Sequence, residues 1–526
     1  MSSPPSAAPL RLLRNILLLV TLQTVGLGAA TAERPNVLFI VVDDLRTDLG
    51  CYGNTLVKSP NIDRLAQRGI TFTRAYCQQA VCSPSRSSVM TGARPDTTQV
   101  WDLVTHFRTA MPDVVTLGQL FRQHGYFVQG TGKISHGGYD DAPTWSTPWQ
   151  TPKAPPYARP ENLALHERQY QTADEDKGSS RKSRRKAAAA NREEGANAAA
   201  AGAPASRRNT RGPAFEGADV PDDTFQDGKV AQFAIERLRD FKGKSEPFFL
   251  AVGFVKPHLP FVSPKKYWDL YDPAKLPRAS NRFRPRGAPD YAILPGNEMR
   301  AYHGIPEGSI PDDLARQLKH GYYAAISYTD AQIGRLLDEL DRLGIADNTI
   351  VVLWGDHGWK LGEHDAWCKH SNSENDTNAP LIIAAPHKTG NGRASRSLVE
   401  FVDIYPTLAD LAGLPIPAQV EGTSLRPLLS QPDRPWKSAA FSQYPRNGSS
   451  ERLMGYSMRT EQHRLTVWVN RQSPGEIKAI ELYDHATDPQ ENENLAGRPE
   501  VRELQETLLS AWRRGWKAAG PDLSRS

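Results

Sequence analysis

Only four of the 526 residues are cysteine: Cys51, Cys77, Cys82 and Cys368. So few exclude a dense disulfide framework, and their spacing fits no zinc pattern. Long apolar runs are also scarce. Beyond residue 32 no segment is long and apolar enough to cross a bilayer, which excludes a stable membrane span there. Net basic charge is missing from most of the chain as well. Residues 177–211 hold ten Lys or Arg against two Glu, a local +8 within a net +5, so the remainder is mildly acidic at −3. A nucleic-acid surface is therefore not expected.

What is present suits a soluble globular protein with a large core, 39% of its residues being apolar. Residues 1–32 read as an export signal. Arg11 and Arg14 precede the apolar run "ILLLVTLQTVGLG", and small residues lead to a cleavage site after Ala32. The alternative is a membrane anchor, for which a run broken by Gln23 is short. The expected location is periplasmic or secreted, or a lysosome-like compartment in a eukaryote. The Ala/Arg/Ser-rich stretch 175–212 cannot bury apolar surface, so it reads as a disordered insertion, or alternatively as a polyanion-binding arm.

Several apolar runs read as buried parallel strands, and most end on ionisable residues. "NVLFIVV" leads into Asp43 and Asp44, "YFVQGTG" into Lys133 and His136, "PFFLAVGFV" into Lys256 and His258, and "NTIVVLWG" into Asp356 and His357. "APLIIAAP" is a further strand without such an ending. Helical patterns fall between the runs: "NIDRLAQRG", "TLGQLFRQHG", "AQFAIERLRDF" and "YYAAISYTDAQIGRLLDELDRLG". The alternation predicts an α/β fold, a large mixed and mostly parallel sheet sandwiched by helices, over residues 33–435. Ligands of such sheets sit beyond the carboxyl ends of the strands, so four strands with ionisable endings point to one convergent site. Each polar pair taken singly is equally well a strand cap. From 436 to 526 short β-like runs ("MGYSMRT", "HRLTVWV", "KAIELYD") and a final helix predict a small α+β subdomain with an antiparallel sheet.

Asp43, Asp44 and Asp356 supply three carboxylates, hard oxygen ligands for a divalent cation such as Ca²⁺. Arg86, Lys133, Lys369, His136 and His258 supply positive charge for a tetrahedral anion. Metal plus cations points to cleavage of a sulfate or phosphate ester. A Ser or Thr at position 82 would make a phosphatase reading natural. Cys82 instead heads a predicted helix, with Pro84 near its first turn and Arg86 one turn on. A thiolate matches a hard metal poorly, so bare cysteine is an unconvincing nucleophile.

"CSPSR" followed by "TGARP" resembles the signature of the sulfatases, members of the alkaline-phosphatase superfamily. "RPNVLFIVVDDLR", "GCYG", "SPNIDRLA" and "ELYDHATDPQENENLA" extend the likeness. Within the family the chain is most similar to the iduronate-2-sulfatase branch, through "QQAVCSPSR", "RPDTT", "FFLAVGFVKPHLPF", "DHGWKLGEH" and "SQYPR", over roughly Arg34 to Ala496.

The resemblance implies that a formylglycine-generating enzyme oxidises Cys82 to Cα-formylglycine, leaving three cysteines of which at least one stays free. It implies one Ca²⁺ per chain on Asp43, Asp44, modified Cys82, Asp356 and His357, with Arg86, Lys133, His136, His258 and Lys369 around the sulfate. Many sulfatases carry Asn where His357 stands, and a hydrogen-bonded supporting histidine is the alternative there. In the implied mechanism one hydroxyl of the hydrated aldehyde attacks sulfur while Asp356 takes its proton. Lys133 and Lys369 offset sulfuryl charge, His258 protonates the leaving alcohol, and His136 deprotonates the second hydroxyl. Arg46, Trp359 and Lys369 are candidates for meeting a sugar and its carboxylate, with packing the other reading of Trp359.

The expected substrate is a sulfated polysaccharide or oligosaccharide. Rival readings are a sulfatase for a different glycan, a phosphonate monoester or phosphodiester hydrolase of the same superfamily, and a glycan-binding protein without catalysis.

Overall fold

The computed structural model describes residues 1, 34–168, 211–386, 390–447 and 451–522. The expected export signal lies outside the described residues, as does the basic tract up to residue 210. Arg211 and Gly212, its last two residues, open a short strand against Tyr302 and His303.

The main sheet has seven strands: β1 (Asn36–Val42), β2 (Ile70–Phe72), β3 (Phe127–Gly132), β4 (Phe248–Phe254), β5 (Thr349–Gly355), β6 (Leu381–Ala384) and β7 (Arg393–Ser395). Their spatial order is β7-β2-β6-β5-β1-β4-β3. The last four of this order, β5-β1-β4-β3, are parallel, and β6 runs antiparallel to both β5 and β2. Register decides the position of the site. Val42 lies opposite both Gly355 and Phe254, and Gly132 opposite Gly253. The residues that follow, Asp43, Asp356, Val255 and Lys133, therefore leave the sheet along one edge.

The strands read as unbroken apolar runs because both faces are covered. On one side Leu38, Ile40 and Val42 pack against α4 (Gln226–Phe241) and the long α5 (Asp312–Leu343). On the other, Val37, Phe39 and Val41 share a core with α2 (Cys82–Thr91), α3 (Leu117–Gln123) and α6 (Ile404–Leu411). Helix α1 (Pro60–Arg68) lies with α5 on the first face, and its open N–H groups at Asn61 and Ile62 donate to Asp330 of α5 at 3.1 and 2.8 Å. Helix α3 begins with a full capping box between Thr116 and Gln119.

The C-terminal part is a four-stranded antiparallel meander, β8 (Ala440–Asn447), β9 (Arg452–Arg459), β10 (His463–Asn470) and β11 (Ser473–Asp484). Helix α7 (Arg502–Ala518) packs on it through Leu508 and Leu509. Three of these strands and the helix match the sequence expectation. The fourth, β8, runs through Pro445, which conceals it. Among the described residues no helix is long and apolar enough to cross a membrane.

Candidate active site

Four loops leave the carboxyl edge of the sheet together. After β1, Asp43 keeps a strand-like bond, its N–H donating to Phe254 O at 3.1 Å. Asp44 then turns at φ +58°, a left-handed conformation held by Tyr322 Oη donating to its carbonyl at 2.6 Å and by its own N–H donating to Asp356 Oδ1 at 3.0 Å. After β5, Asp356 also receives the N–H of His357 at 3.1 Å. After β4, both Lys256-Pro257 and Leu259-Pro260 are cis, and Asp227 of α4 accepts the N–H groups of Val255 and Lys256 at 2.9 and 2.7 Å. After β3, Lys133 sits where glycine allows it: an added Cβ on Gly253 would overlap the Lys133 backbone.

Asp43, Asp44, Asp356 and His357 are fully buried, and Cys82 is 3% exposed at the head of α2. His357 donates Nδ1–H to Gly358 O at 3.0 Å, which leaves the Nε2 lone pair free. That Nε2 lies 3.5 Å from Cys82 Sγ, 3.5 Å from Asp44 Oδ1 and 3.6 Å from Asp356 Oδ2. It faces the gap between the acids and the sulfur, as a metal ligand would.

Three cations balance the three carboxylates. Lys133 Nζ pairs with Asp43 Oδ2 and stands 3.7 Å from Cys82 Sγ. Lys369 Nζ grips both oxygens of Asp44, at 3.0 and 3.1 Å. Arg86 donates Nε to Asp356 Oδ2 and Nη2 to Asp43 Oδ1, both at 2.9 Å, and Nη1 to the carbonyls of Lys133 and Ile134. At 2% exposure, with every nitrogen engaged, Arg86 stands behind the acids. The expected sulfate contact thus falls on a side chain whose nitrogens are all engaged by the two acids and two carbonyls.

The charges respond to this setting. Burial works against ionisation of Asp43, but Lys133, His258 and Arg86 outweigh it and hold its carboxyl well below the usual range. Asp44 goes the other way: burial, with the Asp43 charge, lifts its carboxyl despite Lys369 and His258. Burial, then Asp43, pushes the Cys82 thiol well up, so the site does not generate a thiolate. Burial beside Lys133 and Arg86 drops His136 to about 4, keeping its imidazole neutral, and its Nδ1 is buried without a hydrogen-bond partner. His136 shares a small cavity with Ser83, Arg86 and Ser87.

His258 has an acceptor at each ring nitrogen, Leu259 O at 2.6 Å from Nδ1 and Glu298 Oε1 at 3.0 Å from Nε2. Only the imidazolium offers a donor to both. Glu298 also pairs through Oε2 with Lys369 at 2.7 Å, and that contact with the His258 pairing keeps its carboxyl well below the usual range despite burial. Sequence reasoning missed Glu298. It follows the irregular stretch "RASNRFRPRGAPDYAILPG", which carries no period and no strand-end pattern.

Two of the candidate sugar contacts are engaged within the protein, Trp359 in the packing that was its other reading. Trp359 is fully buried against Phe261, and Lys369 Nζ lies 5.0 Å above its ring, so no face is left for a sugar. Arg46 spends its charge on Glu363 at 2.9 Å and Asp48 at 3.3 Å, and donates to Trp359 O at 3.1 Å. It anchors the loop that carries Trp359. Lys369 alone of the three lies among the groups around Cys82.

The sulfatase family model matches residues 35–414, and the model described as "N-sulphoglucosamine sulphohydrolase, C-terminal" matches 362–514. The chain belongs to the sulfatase family. It is a sulfuric ester hydrolase, 34% identical over 575 residues to iduronate 2-sulfatase of Mus musculus, covering 94% of this chain and 97% of that one. Its fold is similar to a phosphonate monoester hydrolase of Agrobacterium radiobacter (TM-score 0.67, 24% identity, 91% of this chain and 96% of that one). It is likewise similar to a 2-O GAG sulfatase (TM-score 0.64, 22% identity, 93% and 95%).

Proposed function

We propose that this sulfatase is exported and removes sulfate esters from a uronic-acid-containing glycan, as an iduronate-2-sulfatase-like enzyme whose Cys82 is converted to Cα-formylglycine. The observation that carries the reading is the ring of Asp43, Asp44, Asp356 and His357 Nε2 around the residue-82 side chain, with Lys133 and Lys369 beside it. The protonated Cys82 thiol supports a precursor role, since an unmodified thiol there is a weak nucleophile.

The donor set fits Ca²⁺. Three buried carboxylates converge on one gap, and burial together with the Asp43 charge lifts the Asp44 carboxyl, which a bound cation would relieve. Asp43, Asp44, Asp356, His357 and the residue-82 oxygen would hold it, and bound Ca²⁺ would supply a fixed positive charge to the sulfuryl oxygens. Hydrated formylglycine would supply a hard oxygen nucleophile in place of sulfur.

The chain's own residues do the rest. Lys133 and Lys369, both held protonated by their acid partners against burial, grip the sulfuryl oxygens. Asp356 takes the proton of the attacking hydroxyl. His258, doubly hydrogen-bonded as an imidazolium, hands a proton to the departing sugar oxygen. His136, neutral with a free Nδ1, accepts the proton that releases sulfate.

The test has two parts. The mass of the Cys82 peptide from protein made with a formylglycine-generating enzyme is expected to be that of formylglycine. Turnover of a 2-sulfated uronide is then expected to exceed that of an aryl phosphodiester. Preferential phosphodiester turnover would move the enzyme to the phosphonate hydrolase side of the superfamily, and an unmodified, inactive protein would favour glycan binding alone.

A further inference from the structure

Next to Lys369 lies a second group of metal-binding side chains, of which the proposed chemistry draws only on Glu298. Cys368 Sγ stands 3.3 Å from His370 Nδ1 and 3.7 Å from Glu298 Oε2, and the ligand atoms of all three lie within 4.8 Å of one another. Bonds of about 2.3 Å to sulfur and about 2.0–2.2 Å to nitrogen or oxygen, at tetrahedral angles, place ligand atoms roughly 3.3–3.7 Å apart. The separations from Cys368 Sγ, 3.3 and 3.7 Å, fall in the range that a tetrahedral ion requires.

We propose that Cys368, His370 and Glu298 form a second metal site, taking a borderline-soft divalent cation of the Zn²⁺ or Co²⁺ class with a fourth position open to water.

Thiolate and imidazole select against Ca²⁺, so the two sites sort their ions by ligand chemistry. The ligand-bearing backbone is fixed beforehand: Cys368 O accepts from Lys360 N at 2.8 Å, and His370 O accepts from Arg446 Nη2 at 2.6 Å. His370 is held at φ +90°, an uncommon conformation for a residue with a side chain. Glu298 is 16% exposed, leaving a path for the ion from solvent. Binding converts the Cys368 thiol to thiolate and releases one proton to solvent per ion bound. A similar cluster, Glu374, His485 and Glu491, is not a rival, because the Arg464 guanidinium already fills it.

An ion here draws Glu298 Oε2 from Lys369, so occupancy loosens the lysine that faces the sulfate. Zn²⁺ is accordingly expected to raise KM for sulfated substrate at saturating Ca²⁺.

The experiment uses the full chain with Cys82→Ser, which removes the other thiol of the region and makes the result independent of formylglycine. Co²⁺ added in the presence of saturating Ca²⁺ is expected to give a thiolate-to-cobalt charge-transfer absorption saturating at one ion per chain. Zn²⁺ is expected to displace it, and excess Ca²⁺ to leave it intact. Adding Cys368→Ser is expected to abolish the band, and His370→Gln to weaken Co²⁺ binding by about tenfold or more. Cys77→Ser is expected to leave it unchanged. If Cys368→Ser does not fold, the His370→Gln titration and the Zn²⁺ displacement carry the test. Absence of the band in the Cys82→Ser chain, its survival in folded Cys368→Ser, or Co²⁺ affinity unchanged by His370→Gln overturns the site.

Discussion

Replacing Arg86 by methionine tests whether the carboxylate ring depends on a buried cation behind it. The guanidinium is 2% exposed and its two acid partners are fully buried. The substitution leaves Asp43 and Asp356 each short of a 2.9 Å charge-assisted bond, and the carbonyls of Lys133 and Ile134 without their donor. Breaking one side of a buried ion pair costs about 3–5 kcal/mol, because the remaining charge is uncompensated. Unfolding entropy of about 2.1 cal/mol/K per residue over roughly 490 residues amounts to about 1 kcal/mol/K, so the expected fall in Tm is about 3–5 °C. The assay is calorimetry in a chelating buffer, which keeps Ca²⁺ from substituting for the lost cation. Arg86→Lys should fall between wild type and methionine, since an ammonium reaches one acid but cannot fork to two. A Tm drop below about 1 °C for Arg86→Met would falsify the argument, because the acids would then be shown to reorganise freely.

Gly253→Ala places a methyl against the Lys133 backbone. A loss of about 1–3 kcal/mol in stability is expected, with a fall in kcat of up to about 10²-fold from the displaced lysine; wild-type kcat in a folded variant contradicts the packing. Glu363 is partly buried, which raises its pKa, but Arg46 and the N–H of Leu361 overcome that and lower its carboxyl from 4.5 to about 2. A folded-state pKa below the unfolded one contributes stability that is present above about 4.5 and lost as pH falls toward 2, here about 3 kcal/mol. Glu363→Gln should therefore be less stable than wild type at pH 7, and the gap should narrow through that window; a gap constant with pH argues against the ion pair. His136→Ala is expected to lower turnover by about 10²–10⁴-fold with little change in Tm, and intact turnover removes it from the proton-transfer chain.

The site was largely legible in the sequence because its residues follow unbroken apolar runs. Such a run fixes where a buried strand ends, and parallel register then carries Asp43, Lys133 and Asp356 to one edge without further information. Direction was less legible: "LIIA" is apolar on both faces, so β6 reads the same whether parallel or antiparallel. Side-chain orientation was not legible at all. Arg86, Arg46 and Trp359 all stand beside the right motifs, yet each is turned inward. Arg86, buried, and Arg46, partly buried, are paired with carboxylates that would otherwise be uncompensated, and Trp359 is buried under Lys369. A residue's place along the chain states only which edge it reaches; whether it faces solvent follows from which charges the fold must neutralise. Glu298 is the converse case. It comes from a Pro/Gly-rich stretch with no periodicity, and it reaches the site because Lys369 and His258 need an acid there. The sequence signal that could have found it is a charge count rather than a motif. Lys369 and His258 add positive charge in excess of what Asp44 alone balances, which calls for one further carboxylate from an element outside the strand ends.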